Sequence, residues 1–176
     1  METGCIEPST SSFASGLVLV RKKDGGLRVC VDYRGINKRT IPDHYPIPRI
    51  DDLIDMVDRC RGQIYTTLDL MKGYHQIKMS PESKDKTAFT CHLGLFQYKR
   101  MPFGLTNAPA TFQRLMNKLF SGTEWSFVFV YLDNIMIVSK SSEEHLQHVE
   151  KVLTNLEEVG LKLKPKKCAF AQTRIN

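Results

Sequence analysis

Two aspartates stand where a carboxylate is costly. Asp69 lies in "QIYTTLDLM", where Ile64, Thr66, Leu68 and Leu70 alternate with Tyr65, Thr67 and Asp69. Asp133 lies at the centre of the apolar stretch "SFVFVYLDNIMIVSK", Ser126 to Lys140, beside Asn134. Asp is a poor strand former, and a charge beside a core is unfavourable unless it is paired. If the two segments are neighbouring strands, the two acids can face each other. At a separation of about 4 Å they would repel by roughly 4 kcal/mol at an effective dielectric near 20. A divalent cation turns that repulsion into attraction, and hard carboxylate oxygens suit Mg²⁺. Paired aspartates with two Mg²⁺ ions are the apparatus of in-line phosphoryl displacement. The competing reading of Asp133 is ordinary turn chemistry at a hairpin tip.

The elements that must position these acids can be read from the same pattern. The alternation through 64–70 is a strand with Asp69 on its more polar face. The two apolar runs around Asp133-Asn134 predict a hairpin whose tight turn is that pair, since both residues tolerate positive φ. Between strand and hairpin, "TNAPATFQRLMNKLFSG" predicts a helix: Thr106 or Asn107 can cap it, Pro109 suits its first turn and Gly122 can stop it. After the hairpin, "SSEEHLQHVEKVLTNLEEVG" predicts a second helix with a Ser141/Glu144 capping box and Gly160 as its stop. Upstream, strands Leu17–Lys22 and Leu27–Tyr33 flank a turn at Asp24-Gly25-Gly26, and Pro42, Pro46 and Pro48 keep 40–48 extended. "IDDLIDMVDRCRG" has helical spacing, its aspartates forming a solvated face near the helix start, and "KTAFTCHLGLFQYKRM" is a hairpin turning near Gly94. Strands with apolar residues on both faces call for helical cover, so the layout is α+β, with helices packed on an antiparallel sheet.

Composition narrows the chemistry. Lys plus Arg exceed Asp plus Glu by 25 − 19 = 6, and the excess clusters in "RKKDGGLR", "RGINKR" and "KLKPKK". Such clusters favour phosphate-rich partners, although a solvated basic surface has the same composition. No apolar run reaches the roughly 18–20 residues of a membrane span, and the N-terminus has no secretory pattern. Five cysteines at wide spacing, with no C-x-x-C, point to free thiols in a reducing, intracellular setting rather than to a thiolate metal site. His145 and His148 share a helix face at i, i+3 without an evident third ligand, and read as surface or partly buried histidines.

"TTLDLMKGYHQI", "MPFGLTNAPATFQRLMN", "VYLDN" and "GLKLKPKKC" stand in the order and spacing of reverse transcriptases, and "VRKKDGGLRVCVDYRGINKRT" is similar to their fingers segment. Over essentially its whole length the chain resembles the Pol polyproteins of gypsy-type LTR retrotransposons. The resemblance implies a polymerase palm, an antiparallel sheet with helices on one face and a ferredoxin-like core, joined to a β-rich fingers subdomain. Fingers would cover 1–42 and 77–104, palm 43–76 and 105–176. It implies an RNA-directed DNA polymerase acting on an RNA or DNA template with primer and on deoxynucleoside triphosphates, in the cytoplasm or a retroelement particle. Asp69 and Asp133 match the aspartates that bind two Mg²⁺ ions. Tyr74 matches the aromatic that screens the sugar 2′ position, and Lys22 and Arg28 the cations that clamp the triphosphate. Phe103 and Gly104 match the surface beneath the incoming base and template. Lys166 or Lys167 matches the basic residue near the leaving pyrophosphate, the register between the two staying open.

At one position the chain departs from the family pattern Tyr-x-Asp-Asp: it reads Tyr131-Leu132-Asp133-Asn134. Asn keeps the turn but removes a negative charge from the third acidic position, Asn134. A carboxylate and a dication about 4 Å apart attract by roughly 8 kcal/mol at a dielectric near 20, before desolvation. Lower activity is the expectation, with a catalytically inactive nucleic-acid-binding remnant as the alternative. The resemblance also places "AQTRIN" before the primer grip, so thumb and RNase H regions would be missing and the chain would be an internal fragment or a degenerate copy.

Overall fold

A computed structural model describes residues 4–22 and 25–174. Asp24 of the expected upstream turn and the terminal residues Met1, Ile175 and Asn176 lie outside them. In chain order the elements are β1 (Ile6–Pro8), β2 (Leu17–Arg21), β3 (Leu27–Val31), α1 (Arg34–Asn37), α2 (Ile50–Arg59) and β4 (Ile64–Asp69). There follow α3 (Pro81–Lys84), β5 (Phe89–Cys91), β6 (Gly94–Tyr98), α4 (Ala108–Leu119), β7 (Val128–Tyr131), β8 (Asn134–Ser139), α5 (Ser142–Glu158) and β9 (Ala169–Gln172). The chain divides into two compact units. One holds the residues up to Asp43 with Tyr74–Ala108; the other holds His44–Gly73 with the chain from Pro109 on.

The first unit is β-rich. β6 pairs antiparallel with both β1 and β5, and β2 and β3 form a separate antiparallel ribbon. Its interior includes three aromatic rings: Tyr33, Phe89 and Phe96 are buried, and the Tyr33 hydroxyl donates to the Thr87 carbonyl at 2.9 Å.

The second unit is built on the antiparallel sheet β7-β8-β4-β9. With α4 between β4 and β7, and α5 between β8 and β9, this is the β-α-β-β-α-β order of a ferredoxin-like core. Segment 40–48 contains no helix or strand, as its prolines require. α5 starts as read: the Glu144 N–H donates to Ser141 Oγ at 3.3 Å. The return bond from Glu144 reaches the Lys140 N–H at 2.7 Å, one residue earlier than a regular capping box. Before α4, the Asn107 carboxamide accepts the Asp43 N–H and donates to the Ile41 carbonyl.

Two expectations need correction. Helices cover both faces of the sheet, not one. Val57 of α2 packs with Phe129, Val138, Tyr65 and Met136. His145 of α5 bonds Thr66 and Ser139, which alternate with Tyr65 and Val138 and so point to the other face. The cause is that β7 and β8 carry apolar residues on both sides, so a single helical layer would leave one side wet. The second correction concerns the hairpin. Tyr131 pairs with Asn134, so the turn residues are Leu132 and Asp133, and Asn134 is the first residue of β8. The positive φ, 53°, falls on Leu132. Pairing of Asn134 with Asp69 holds Asn134 in the strand and moves the turn one residue back.

Candidate active site

β4 and β8 pair residue for residue from Ile64↔Ser139 to Asp69↔Asn134. Both strands therefore end at the acidic tip. The Leu70 N–H donates to the Asp133 carbonyl at 3.1 Å, so the backbones on either side of the two acids are locked together. Asp69 keeps 18% of its side-chain exposure, and Lys167 Nζ lies 3.2 Å from its Oδ2. Lys167 belongs to the short 3₁₀ turn Pro165–Lys167, which the Lys164 N–H ties to the Asp69 carbonyl at 2.8 Å. Of the two lysines left open by the sequence, Lys167 is the one paired with the Asp69 carboxylate, and both are exposed. Asn134 is exposed beside Asp69, and Asp133 is half-buried.

The segment after β4 comes unusually close to Asp133. A Cβ on the buried Gly73 would lie 3.1 Å from Asp133 Cβ and 3.2 Å from Phe112 Cζ. Only a residue without a side chain fits there unstrained, and the sequence marks the requirement by nothing more than the Gly of "MKGY".

The donor set suits a small hard cation. Asp69 and Asp133 stand on backbone segments joined by the β4–β8 pairing and the Leu70–Asp133 hydrogen bond, and Mg²⁺ needs one or two carboxylates, the remaining positions going to water and substrate phosphates. Among the described residues no group of three or more His, Cys, Asp or Glu side chains could hold a metal, which argues against an all-protein cage. Among the described residues no cysteine is joined in a disulfide.

In the first unit, the Tyr74 and Phe103 rings meet at 4.9 Å between centroids, and His75 packs edge-on to Phe103 at 5.1 Å. Gly104 follows with φ of 95°, where a side chain would be strained. Asn37 holds this loop, donating to the Gly104 carbonyl at 2.7 Å and accepting the Thr106 N–H at 3.0 Å. Sequence reasoning misses Asn37, because nothing local marks its distant partners. Lys22 and Arg28 lie on the β2–β3 ribbon, both exposed. Arg28 is opposite Val20, and the Lys22 N–H reaches the Gly26 carbonyl at 2.7 Å, so strand alternation puts both cations on one face.

The family model for reverse transcriptase (RNA-dependent DNA polymerase) matches residues 20–176. The chain belongs to the reverse transcriptase family. It is 44% identical to the Retrovirus-related Pol polyprotein from transposon 297 of Drosophila melanogaster, over all of this chain and 17% of that protein. It is 38% identical to the Transposon Tf2-7 polyprotein of Schizosaccharomyces pombe, over 99% of this chain and 13% of that protein. This reverse transcriptase domain therefore spans less than a fifth of these polyproteins. Among solved structures it resembles the Prototype Foamy Virus Protease-Reverse Transcriptase CSH mutant, with a TM-score of 0.85 and 31% identity over 97% of this chain and 22% of that one. It also resembles the foamy viral protease-reverse transcriptase dRH in complex with ds DNA, with a TM-score of 0.87 and 27% identity over 99% of this chain and 30% of that one. The palm and fingers fold of a retroelement reverse transcriptase is thereby shared, and among the described residues no helix is long and apolar enough to cross a membrane.

Proposed function

We propose that this domain carries the nucleotide-adding centre of a retrotransposon's RNA-directed DNA polymerase. The reaction is attack of a primer 3′-hydroxyl on the α-phosphate of a deoxynucleoside triphosphate, with release of pyrophosphate. One observation supports this above the others: Asp69 and the turn bearing Asp133 are brought together by paired strands of a ferredoxin-like sheet. Asp69 and Asp133 would hold two Mg²⁺ ions. When bound, such ions ease deprotonation of the attacking hydroxyl and neutralise charge on the leaving group. Lys167, already paired with Asp69, is placed to contribute positive charge next to that carboxylate. Lys22 and Arg28 hold the triphosphate, Arg28 by forked contacts. Tyr74, packed against Phe103, limits the room beside the sugar 2′ position, and Phe103 and Gly104 support base and template. The foamy viral enzyme's structure in complex with RNA/DNA hybrid supports the same class of template here.

Asn134 lowers the activity of this copy. It stands opposite Asp69 and carries no charge, so the centre lacks one anionic oxygen donor. About 1.4 kcal/mol of lost stabilisation is tenfold in rate. The test is Mg²⁺-dependent primer extension by the domain joined to the thumb segment of a relative, as Asn134, as Asn134→Asp and with Asp69→Asn in each. The Asp form should extend at least about tenfold faster, and Asp69→Asn should abolish extension in both backgrounds. Extension that survives Asp69→Asn would overturn the assignment; equal rates for Asn134 and its Asp variant would overturn the impairment.

A further inference from the structure

We propose that Gln113 is a positioning residue for the acidic turn, acting as a surrogate strand on the open edge of the sheet. Gln113 lies in α4 and is 1% exposed, an expensive place for a carboxamide unless its polar atoms are paired. They are. Its Oε1 accepts the Leu132 N–H at 3.0 Å, and its Nε2 donates to the Val130 carbonyl at 3.3 Å and to Asn117 Oδ1 at 2.9 Å. The orientation is fixed by chemistry, because only the oxygen can accept an N–H and only the nitrogen can donate to a carbonyl.

β7 is an edge strand. Tyr131 pairs inward with Asn134, which leaves the Val130 carbonyl and Leu132 N–H on the outer side. A further strand would meet those two groups with one donor and one acceptor; the Gln113 carboxamide supplies both. Leu132 is also the residue at φ 53°, a left-handed conformation that is strained for a residue with a side chain. A turn so strained needs an anchor outside the hairpin, and the residue it presents next is Asp133. Asn117 in turn accepts from Gln113 and donates to the Tyr45 hydroxyl at 2.9 Å, so the anchor is itself braced. A lone polar residue within the helix's otherwise apolar stripe is the only trace of this in the sequence.

The link from the turn to catalysis rests on the metal-binding reading of Asp133, so the test has two independent arms. Amide hydrogen exchange at Leu132 and Ile137, urea unfolding and Mn²⁺ affinity by electron paramagnetic resonance are measured on the chain, on Gln113→Met and on Gln113→Glu. Methionine fills the space without hydrogen bonds; glutamate keeps an acceptor for Leu132. In Gln113→Met, Leu132 should exchange about tenfold faster, the factor that about 1.4 kcal/mol gives, with Ile137 unchanged and Mn²⁺ affinity reduced. Gln113→Glu should restore Leu132 protection. Unchanged Leu132 exchange in Gln113→Met overturns the proposal, and so does faster exchange with unaltered Mn²⁺ affinity, which would leave Gln113 merely structural. If Gln113→Met does not fold, Asn117→Ala, at an exposed site, should still speed Leu132 exchange about two- to threefold, and no change overturns the anchor. A parent chain that takes up no Mn²⁺ refutes the two-ion reading instead, while the exchange arm still decides whether Gln113 holds the turn.

Discussion

Gly73 shows how narrowly the site is fitted at the scale of single residues. The atoms that an added methyl would meet, Asp133 Cβ and Phe112 Cζ, belong to a backbone-proximal carbon and a fully buried ring, so neither can swing away. Gly73→Ala should therefore displace Asp133 by a few tenths of an ångström. Misplacement on the scale of 1 Å can cost about a hundredfold in rate, so roughly a tenfold loss of single-turnover extension is expected. Urea unfolding should show a cooperative transition in the same variant; an undiminished rate would show that Asp133 has slack. The acids themselves were legible because Asp in an apolar strand is unfavourable and needs a reason. The pairing of Lys167 with Asp69 was not, because it depends on a 3₁₀ turn bonded to the far end of β4.

Among the elements, α5 carries a buried polar chain that the sequence showed only as two histidines on one face. His145 Nε2 is 2.7 Å from Thr66 Oγ1, and Ser139 Oγ is 2.8 Å from Nδ1 of both His145 and His148. Thr66 Oγ1 also accepts the Ala171 N–H at 3.1 Å, and its own proton can serve His145 Nε2. The ring then donates from Nδ1 to Ser139, whose hydroxyl donates to His148, and no imidazole needs a charge. Burial holds both histidines below their ordinary value; the His148 ring adds to this at His145 and the Lys151 cation at His148, while Glu144 opposes at both and a hydrogen bond to the Val138 backbone opposes at His148. With folded-state values depressed, the unfolded chain binds more protons once the pH falls below about 6.5, so stability is full above that pH and declines as it drops. The urea midpoint should be lower at pH 5.5 than at pH 7.5, and a flat profile would contradict the neutral chain. Ser139→Ala, which strips both rings of a partner, should cost about 1–3 kcal/mol. Helix existence, caps and stops were readable in α5 because they are local; the burial of its histidines depends on two strands elsewhere in the chain.

For the molecule as a whole, the excess of six cationic residues matters more than any single pair. Binding to a primer–template duplex should weaken steeply with salt, since neutralised phosphates release counterions. Replacing Lys22 and Arg28 together with alanine should weaken binding of the deoxynucleoside triphosphate and leave the slope of log duplex affinity against log salt unchanged, measured by fluorescence anisotropy, because these two cations are assigned to the triphosphate and not to the duplex. A shallower duplex slope with unaltered triphosphate binding would overturn that assignment and place the two cations on the duplex backbone.

Local pattern was enough for the periodicities, the helix boundaries, the acidic strand and hairpin, and the family to which they belong, because alternation, caps and motif spacing are properties of short segments. Tertiary structure alone decided that Asn134 pairs with Asp69, that the strained φ falls on Leu132, that α2 covers the face opposite α5, and that Gln113 closes the edge of β7. Each of those depends on free energy shared between segments distant in the chain. A strand's pairing partner and a buried carboxamide's hydrogen bonds exist only once both sides are in place, so no local pattern can encode them.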